Sequence, residues 1–313
     1  MAKALEYAFL YLIFPGFLFS SAMGLLIGWI DRKVTARIQW RVGPPWYQNF
    51  IDVLKLLLYK ETLVPEGVSK TFFLGMPAVA MASATLVSTI ILVINAIPQK
   101  GFIGDLIVLV YLLAMPSIAL MLGAFASQNP LASLGASREM KLMLSYELPF
   151  ILSLVVPIMK SGYSIRLGDI LIKQANNGSL IGSPSGAISF FVMLLCIQAK
   201  LGFVPFDISE AETEIMAGAY IEYSGKALGI FKLAKAIMTF AVPIFLITLY
   251  FGGIKFSPVG FIKTILQFIL ILVLMIVIKN TNPRVRIDQA LKFFWGPVAL
   301  LAVLSVALAY LGY

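Results

Sequence analysis

The sequence predicts an all-α integral membrane protein of about eight transmembrane helices, with one short interfacial amphipathic helix and several proline-kinked spans, forming a single membrane domain over residues 1–313. Three observations lead there. Hydrophobic residues make up 60% of the chain and charged ones only 12%, whereas soluble domains run near ~25% charged. The apolar residues gather in runs of about twenty, the length that crosses a bilayer core. Lys and Arg concentrate in alternate connections between those runs.

The first run, about residues 8–30, ends at Asp31-Arg32-Lys33. The flank before it lacks a strongly basic stretch and no small-residue cleavage site follows it, so it reads as a retained span. Arg41-Val42-Gly43-Pro44-Pro45 is a rigid turn that sets basic groups at headgroup level. Next, Phe50 to Tyr59 puts Ile51, Leu54, Leu57 and Leu58 on one helical face and Asp52 and Lys55 towards another. That pattern suits a helix lying in the interface plane, about 47–60, which either anchors to lipid or docks a partner. Further spans are expected at about 71–97, 106–127, 142–159, 186–206, 225–251, 261–278 and 290–311. Pro77, Pro116, Pro149, Pro157, Pro243 and Pro297 fall inside them. A membrane helix tolerates proline only where a neighbour or water recaptures the freed carbonyl, so these helices are either kinked and packed or broken around a polar cavity.

Charge sets orientation and excludes several functions. The connections after the first, third, fifth and seventh spans carry fourteen Lys and Arg, against seven on the other side. The richer side is expected in the cytoplasm, with both termini outside. This asymmetry accounts for the net charge of +9 without nucleic acid. One cysteine rules out a disulfide framework or a thiolate cluster, and the absence of histidine removes the usual metal ligand and general base. No redox centre or metal is therefore expected in this chain itself. No internal repeat supports an inverted-repeat transporter.

The most unusual stretch runs from Pro205 to Gly225 and carries Asp207, Glu210, Glu212, Glu214 and Glu222. Five carboxylates so close together repel one another, and Glu210 and Glu214 are spaced to share a helical face. The interleaved Phe206, Ile208, Ile215, Met216 and Ile221 do not suit a solvated loop. A set of carboxylates exchanging protons with a cavity fits better. Glu147 and Lys200 lie inside expected spans, as do Lys232 and Lys235. A lysine near a helix end can snorkel, which is the simplest account of Lys232. The shorter Glu147 cannot reach the headgroups, so Glu147 and Lys200 are the stronger functional candidates.

Four segments in order resemble subunit 1, the H-type membrane subunit, of respiratory complex I and its relatives, the group 4 energy-converting hydrogenases. They are Asp31-Arg32-Lys33-Val34-Thr35-Ala36-Arg37-Ile38-Gln39-Trp40-Arg41-Val42-Gly43-Pro44, Ser145-Tyr146-Glu147, the acidic stretch with Pro205-Phe206-Asp207 and Glu222-Tyr223-Ser224-Gly225, and Pro283-Arg284-Val285-Arg286-Ile287-Asp288-Gln289. Where complex I members carry a glutamate and an arginine ahead of Pro-Phe-Asp, this chain has Lys200 and Phe203. Those departures, and the short Gly43–Asn49 region, look more like the archaeal membrane-bound hydrogenases and sulfane-sulfur reductases, which do not need quinone.

The resemblance implies a plasma-membrane subunit of a prokaryotic complex I-like energy-converting redox complex, a membrane-bound hydrogenase, that couples ferredoxin oxidation to proton or sodium translocation. It implies iron–sulfur clusters, and in the hydrogenase branch a NiFe centre, held by partner subunits. The partners implied are a peripheral arm of iron–sulfur and hydrogenase-like subunits, and antiporter-like membrane subunits. Glu147, Lys200, Asp207, Glu210, Glu212, Glu214 and Glu222 are then expected on the ion path. Arg32, Lys33, Arg37, Arg41, Arg284 and Arg286 are expected to dock the peripheral arm. The competing readings are the same role in a sulfane-sulfur reductase or quinone-type dehydrogenase, a free-standing ion transporter, and a purely structural anchor.

Overall fold

The computed structural model describes residues 2–313, apart from the side chains of residues 2–4, Glu212 and Thr213. Among them there is no strand. In chain order the helices are α1 (Ala2–Leu12), α2 (Phe17–Ile38), α3 (Gln48–Leu54, continued by a π turn over Lys55–Tyr59), α4 (Lys70–Ala96), α5 (Asp105–Ala126) and α6 (Pro130–Lys160). They continue as α7 (Leu167–Asn177), α8 (Pro184–Lys200), α9 (Glu212–Ile215), α10 (Gly225–Tyr250), α11 (Pro258–Thr281), α12 (Ile287–Phe293, continued by a π turn over Phe294–Val298) and α13 (Ala299–Tyr310). Among the described residues, seven stretches are long and apolar enough to cross a membrane, and α8 is a shorter apolar helix.

Three details differ from the sequence expectation. The first apolar run is broken over residues 13–16, where Pro15 supplies no amide hydrogen to carry a helix forward. Helix α6 starts at Pro130, capped by the Asn129 side chain accepting from the Leu131 amide, so Arg138 and Glu139 lie in a helix rather than a loop. An extra helix, α7, joins α6 to α8; it is amphipathic and too short to span.

The core is built around α10, which packs on α2 and α4, while α6, α8 and α13 form an adjoining group and α5 bridges α4 to α6. Small residues permit the close approaches, as is usual where lipid gives no hydrophobic drive between helices. A Cβ on Gly24 of α2 would stand 2.1 Å from the Ala236 carbonyl of α10, and one on Gly135 of α6 would stand 2.5 Å from the Ala219 amide.

Two proline kinks show how freed carbonyls are recaptured. Pro77 cannot bond the Phe73 carbonyl one turn earlier; the Tyr223 hydroxyl donates to it instead, at 3.2 Å. Pro157 likewise frees the Ser153 carbonyl, which accepts from Ser189 Oγ at 2.8 Å and Tyr250 Oη at 3.2 Å. At Pro297 the backbone widens into the π turn that links α12 to α13. These helices are kinked and packed, the first of the two outcomes that the prolines allow.

Candidate functional site

The buried charges meet where α4, α5, α6, α8 and α10 surround one cavity with an empty volume of about 520 Å³. Its polar lining comprises Ser117, Glu139, Lys200, Glu210, Tyr220 and Lys235. A polar cavity of this kind has room and partners for water.

Lys200 ends α8, so its ammonium sits by the electronegative end of that helix. Its side chain is 1% exposed, and Nζ lies 3.5 Å from Glu147 Oε2 of α6. The rings of Phe150 and Tyr146 face the ammonium at 4.6 and 5.2 Å from their centroids. Cation–π attraction of this kind contributes about 1–2 kcal/mol when desolvated. Neither Lys200 Nζ nor Glu147 Oε2 has a hydrogen-bond partner among the described residues. The pair is in electrostatic contact without a hydrogen bond to hold it.

Glu139, two turns before Glu147 on α6, is buried and accepts from Ser209 Oγ at 2.6 Å. Sequence reasoning missed it, because its charged neighbours Arg138 and Lys141 made it look like part of a solvated connection. The available signal was the Asn129-Pro130 start of α6, a side-chain cap followed by proline in the first turn. Glu210 closes the other side of the cavity, bonded by both oxygens to Lys235 Nζ of α10 at 2.7 and 2.8 Å. Burial pushes the Tyr220 phenol well above its ordinary value, with Glu210 and Glu139 adding to the effect, so it faces the cavity as a neutral hydroxyl.

The acidic segment is not a loose loop. Ile208, Ser209, Ala211 and Ile215 are buried, whereas Met216 is exposed. Asp207, Glu210, Glu214 and Glu222 are separated rather than clustered, each taken by its own partner. Asp207 receives two bonds from Arg284, the Nε bond measuring 2.8 Å. Arg138 donates to Glu214 at 2.6 Å, and Asn129 Nδ2 donates to Glu222. Glu210 and Glu214 therefore do not share a face, because α9 begins only at Glu212 and the two carboxylates turn to different helices. The side chain of Glu212 lies outside the described residues.

The basic residues meet at one end of the bundle, where Asp31 of α2 pairs with Lys279 of α11 at 2.6 Å. Arg32, Lys33, Arg37 and Arg41 occupy the last turns of α2 and the residues beyond, and Arg286 precedes α12. Arg37, Arg41 and Arg286 are exposed. Arg32 is engaged by Asn49 at 2.8 Å and Asp52 at 3.2 Å of the interfacial helix. Arg284 is turned inward to Asp207, which makes it an anchor of the acidic segment as much as a surface cation.

The pattern of the family described as NADH dehydrogenase matches residues 10–310. The chain belongs to that family, as a relative of the H-type membrane subunit of complex I. It is 35% identical over 294 residues to the H-type subunit of the NADH-quinone oxidoreductase of Anoxybacillus flavithermus, covering 89% of this chain and 86% of that one. It is 30% identical over 292 residues to the corresponding chain of Geobacillus thermodenitrificans, with the same coverage. Among solved structures, a chain of the membrane-bound sulfane sulfur reductase, an archaeal respiratory membrane complex, superposes with a TM-score of 0.83 at 27% identity, covering 94% of this chain and 96% of that one. This NADH dehydrogenase family member is thus a complex I-like membrane subunit of a multi-subunit respiratory oxidoreductase.

Proposed function

We propose that this subunit couples electron transfer in a ferredoxin-fed peripheral arm to proton or sodium movement through the membrane arm, with its basic end in the cytoplasm of a prokaryotic cell. The single observation that carries the reading is the shared cavity. Glu210–Lys235 and Glu139 stand around it, and Lys200 leads from it to Glu147. A charged group held in the membrane is costly, so four of them around one cavity are best explained by ion passage.

In this scheme a change at the peripheral-arm junction disturbs the acidic segment through Arg284–Asp207 and Arg138–Glu214. The disturbance shifts Glu210 and Ser209 against Lys235 and Glu139. A proton, or the charge of a sodium ion, then exchanges across Lys200 to Glu147 and onward to antiporter-like neighbours. Arg37, Arg41 and Arg286, with Arg32 and Lys33, dock the arm that carries the iron–sulfur clusters. Likeness to the sulfane sulfur reductase chain favours sulfur reduction in that arm. A membrane-bound hydrogenase with a NiFe centre is the second reading, and Lys200 and Phe203, where quinone-type members carry a glutamate and an arginine, favour both over quinone.

The test is purification of the intact complex through a tag on this chain, identification of its partners, and reconstitution of wild type and Glu147→Gln in sealed vesicles. The expected result is sustained electron transfer with ion uptake reduced to background in the variant. Uptake at the wild-type level by Glu147→Gln would remove Glu147 from the ion path.

A further inference from the structure

A second polar cavity, with an empty volume of about 590 Å³, lies at the opposite end of the bundle from the basic helix ends, between the C-termini of α6 and α7 and the entry to α8. It stands apart from the ion-path charges. Lys160 and Lys173 line it, and no carboxylate does among the described residues. Lys173 Nζ reaches back to the turn after α6, 3.4 Å from where a Cβ on Gly162 would stand. Lys160 Nζ donates to the Gly312 carbonyl at 3.3 Å, which uses one of its three hydrogens.

Two ammonium groups on one cavity repel each other unless an anion lies between them. Lysines here also complement the helix ends, but that role does not require both to face one space. An independent feature sits in the same wall. Gln174 is 5% exposed, and its Nε2 donates to the Thr248 and Leu249 carbonyls at 3.2 and 2.9 Å. Its Oε1 is buried with no partner among the described residues. A buried acceptor left unmet costs free energy that a hydroxyl donor would recover. The rest of the wall mixes hydroxyls with the apolar Pro157, Ile170 and Leu180.

We propose that this cavity binds the headgroup of an anionic phospholipid. The phosphate lies between Lys160 and Lys173, and a headgroup hydroxyl donates to Gln174 Oε1. A phosphoglycerol or phosphoinositol headgroup has this chemistry, and the site's position at the C-terminal end of the α6 span, the level of the headgroups, makes a lipid its source rather than free phosphate.

The intact detergent-purified complex is incorporated into phosphatidylcholine vesicles containing photoactivatable phosphatidylglycerol, irradiated, and mapped by peptide mass spectrometry. Labelling is expected within residues 157–183 and is expected to fall about twenty-five-fold in K160Q/K173Q, at roughly fivefold per lysine for an anionic headgroup. The K160R/K173R variant should keep the label, and Gln174→Glu should lose it by placing an anion against the phosphate. Co-purification of the partner subunits confirms that each variant has assembled, and Lys255→Gln serves as a control expected to label normally. Unchanged labelling in both K160Q/K173Q and Gln174→Glu would overturn the site. Full competition by millimolar glycerol phosphate would overturn its assignment to lipid.

Discussion

The Lys200 ammonium and the Glu147 carboxylate stand 3.5 Å apart, with the lysine side chain 1% and the glutamate side chain 23% exposed. The two members of the pair are therefore unequally dependent on each other. Glu147 retains some access to its surroundings, whereas the charge of the buried Lys200 is held chiefly by Glu147, two rings and a helix end. Removing the acid strands a buried cation, at about 3 kcal/mol or more. Glu147→Ala should accordingly lower the thermal unfolding midpoint of the purified complex, and Glu147→Ala combined with Lys200→Met should recover most of the loss. Equal unfolding midpoints for the single and double variants would contradict an interacting pair.

Glu139 is the acid in the first cavity whose role can be separated from ion pairing, since Ser209 is its hydrogen-bonding partner. Glu139→Gln keeps an acceptor for that hydroxyl but cannot carry a proton. Ion uptake per electron should fall about a hundredfold, as when a proton-transferring group is removed, while partner-arm electron transfer continues. Vesicle uptake measured alongside acceptor reduction tests this, and a proportional loss of both would instead mark Glu139 as structural.

The Asp207–Arg284 clamp depends on the planar fork of the guanidinium, which a lysine cannot reproduce. Arg284→Lys should loosen residues 205–209 and raise their amide hydrogen exchange about tenfold, the equivalent of ~1.4 kcal/mol. Exchange in α11 should be unaffected. Identical protection in the variant would show that the backbone bond from Val285 to Pro205, at 3.0 Å, suffices by itself.

Glycine is required where α6 meets the segment before α10. Gly135→Leu would drive a side chain into the Ala219 amide and the Gly218 backbone. The expected outcome is loss of assembled complex from membranes, read by the yield of co-purified partners, with Gly296→Leu as a control because nothing lies within 4 Å of a Cβ there.

Most of the fold was legible because lipid imposes a length and a polarity on every span. The same averaging hid what lay at the edges. Helix α7 is short and amphipathic, with Leu167, Ile170, Leu171 and Gln174 on its buried face, so a search for apolar runs of spanning length passes over it. The start of helix α6 is masked in the sequence by Arg138, Glu139 and Lys141. Charges look like solvated loop until their partners are known, and those partners, Glu214 and Ser209, lie some seventy residues away in the chain. The acidic segment was recognisable as partly buried from Phe206, Ile208 and Ile215. Its internal order was not, because repulsion between near neighbours is settled here by cations from α6, α10 and the turn before α12. Lys235 could be flagged as a charge within a span, but its bond to Glu210 has no sequence signature.

The hydroxyl that closes the gap at Pro77 belongs to Tyr223, whose ring also lies flat on Phe73 with centroids 4.3 Å apart. Tyr223 directly follows Glu222, so the end of the acidic stretch is fastened to the bend of α4. A pull on that stretch cannot be absorbed by slack in a linker; it works on α4 as on a hinged rod, and α4 carries Ala80 in the wall beside Glu139. The proline that weakens the rod thus also decides where it can flex.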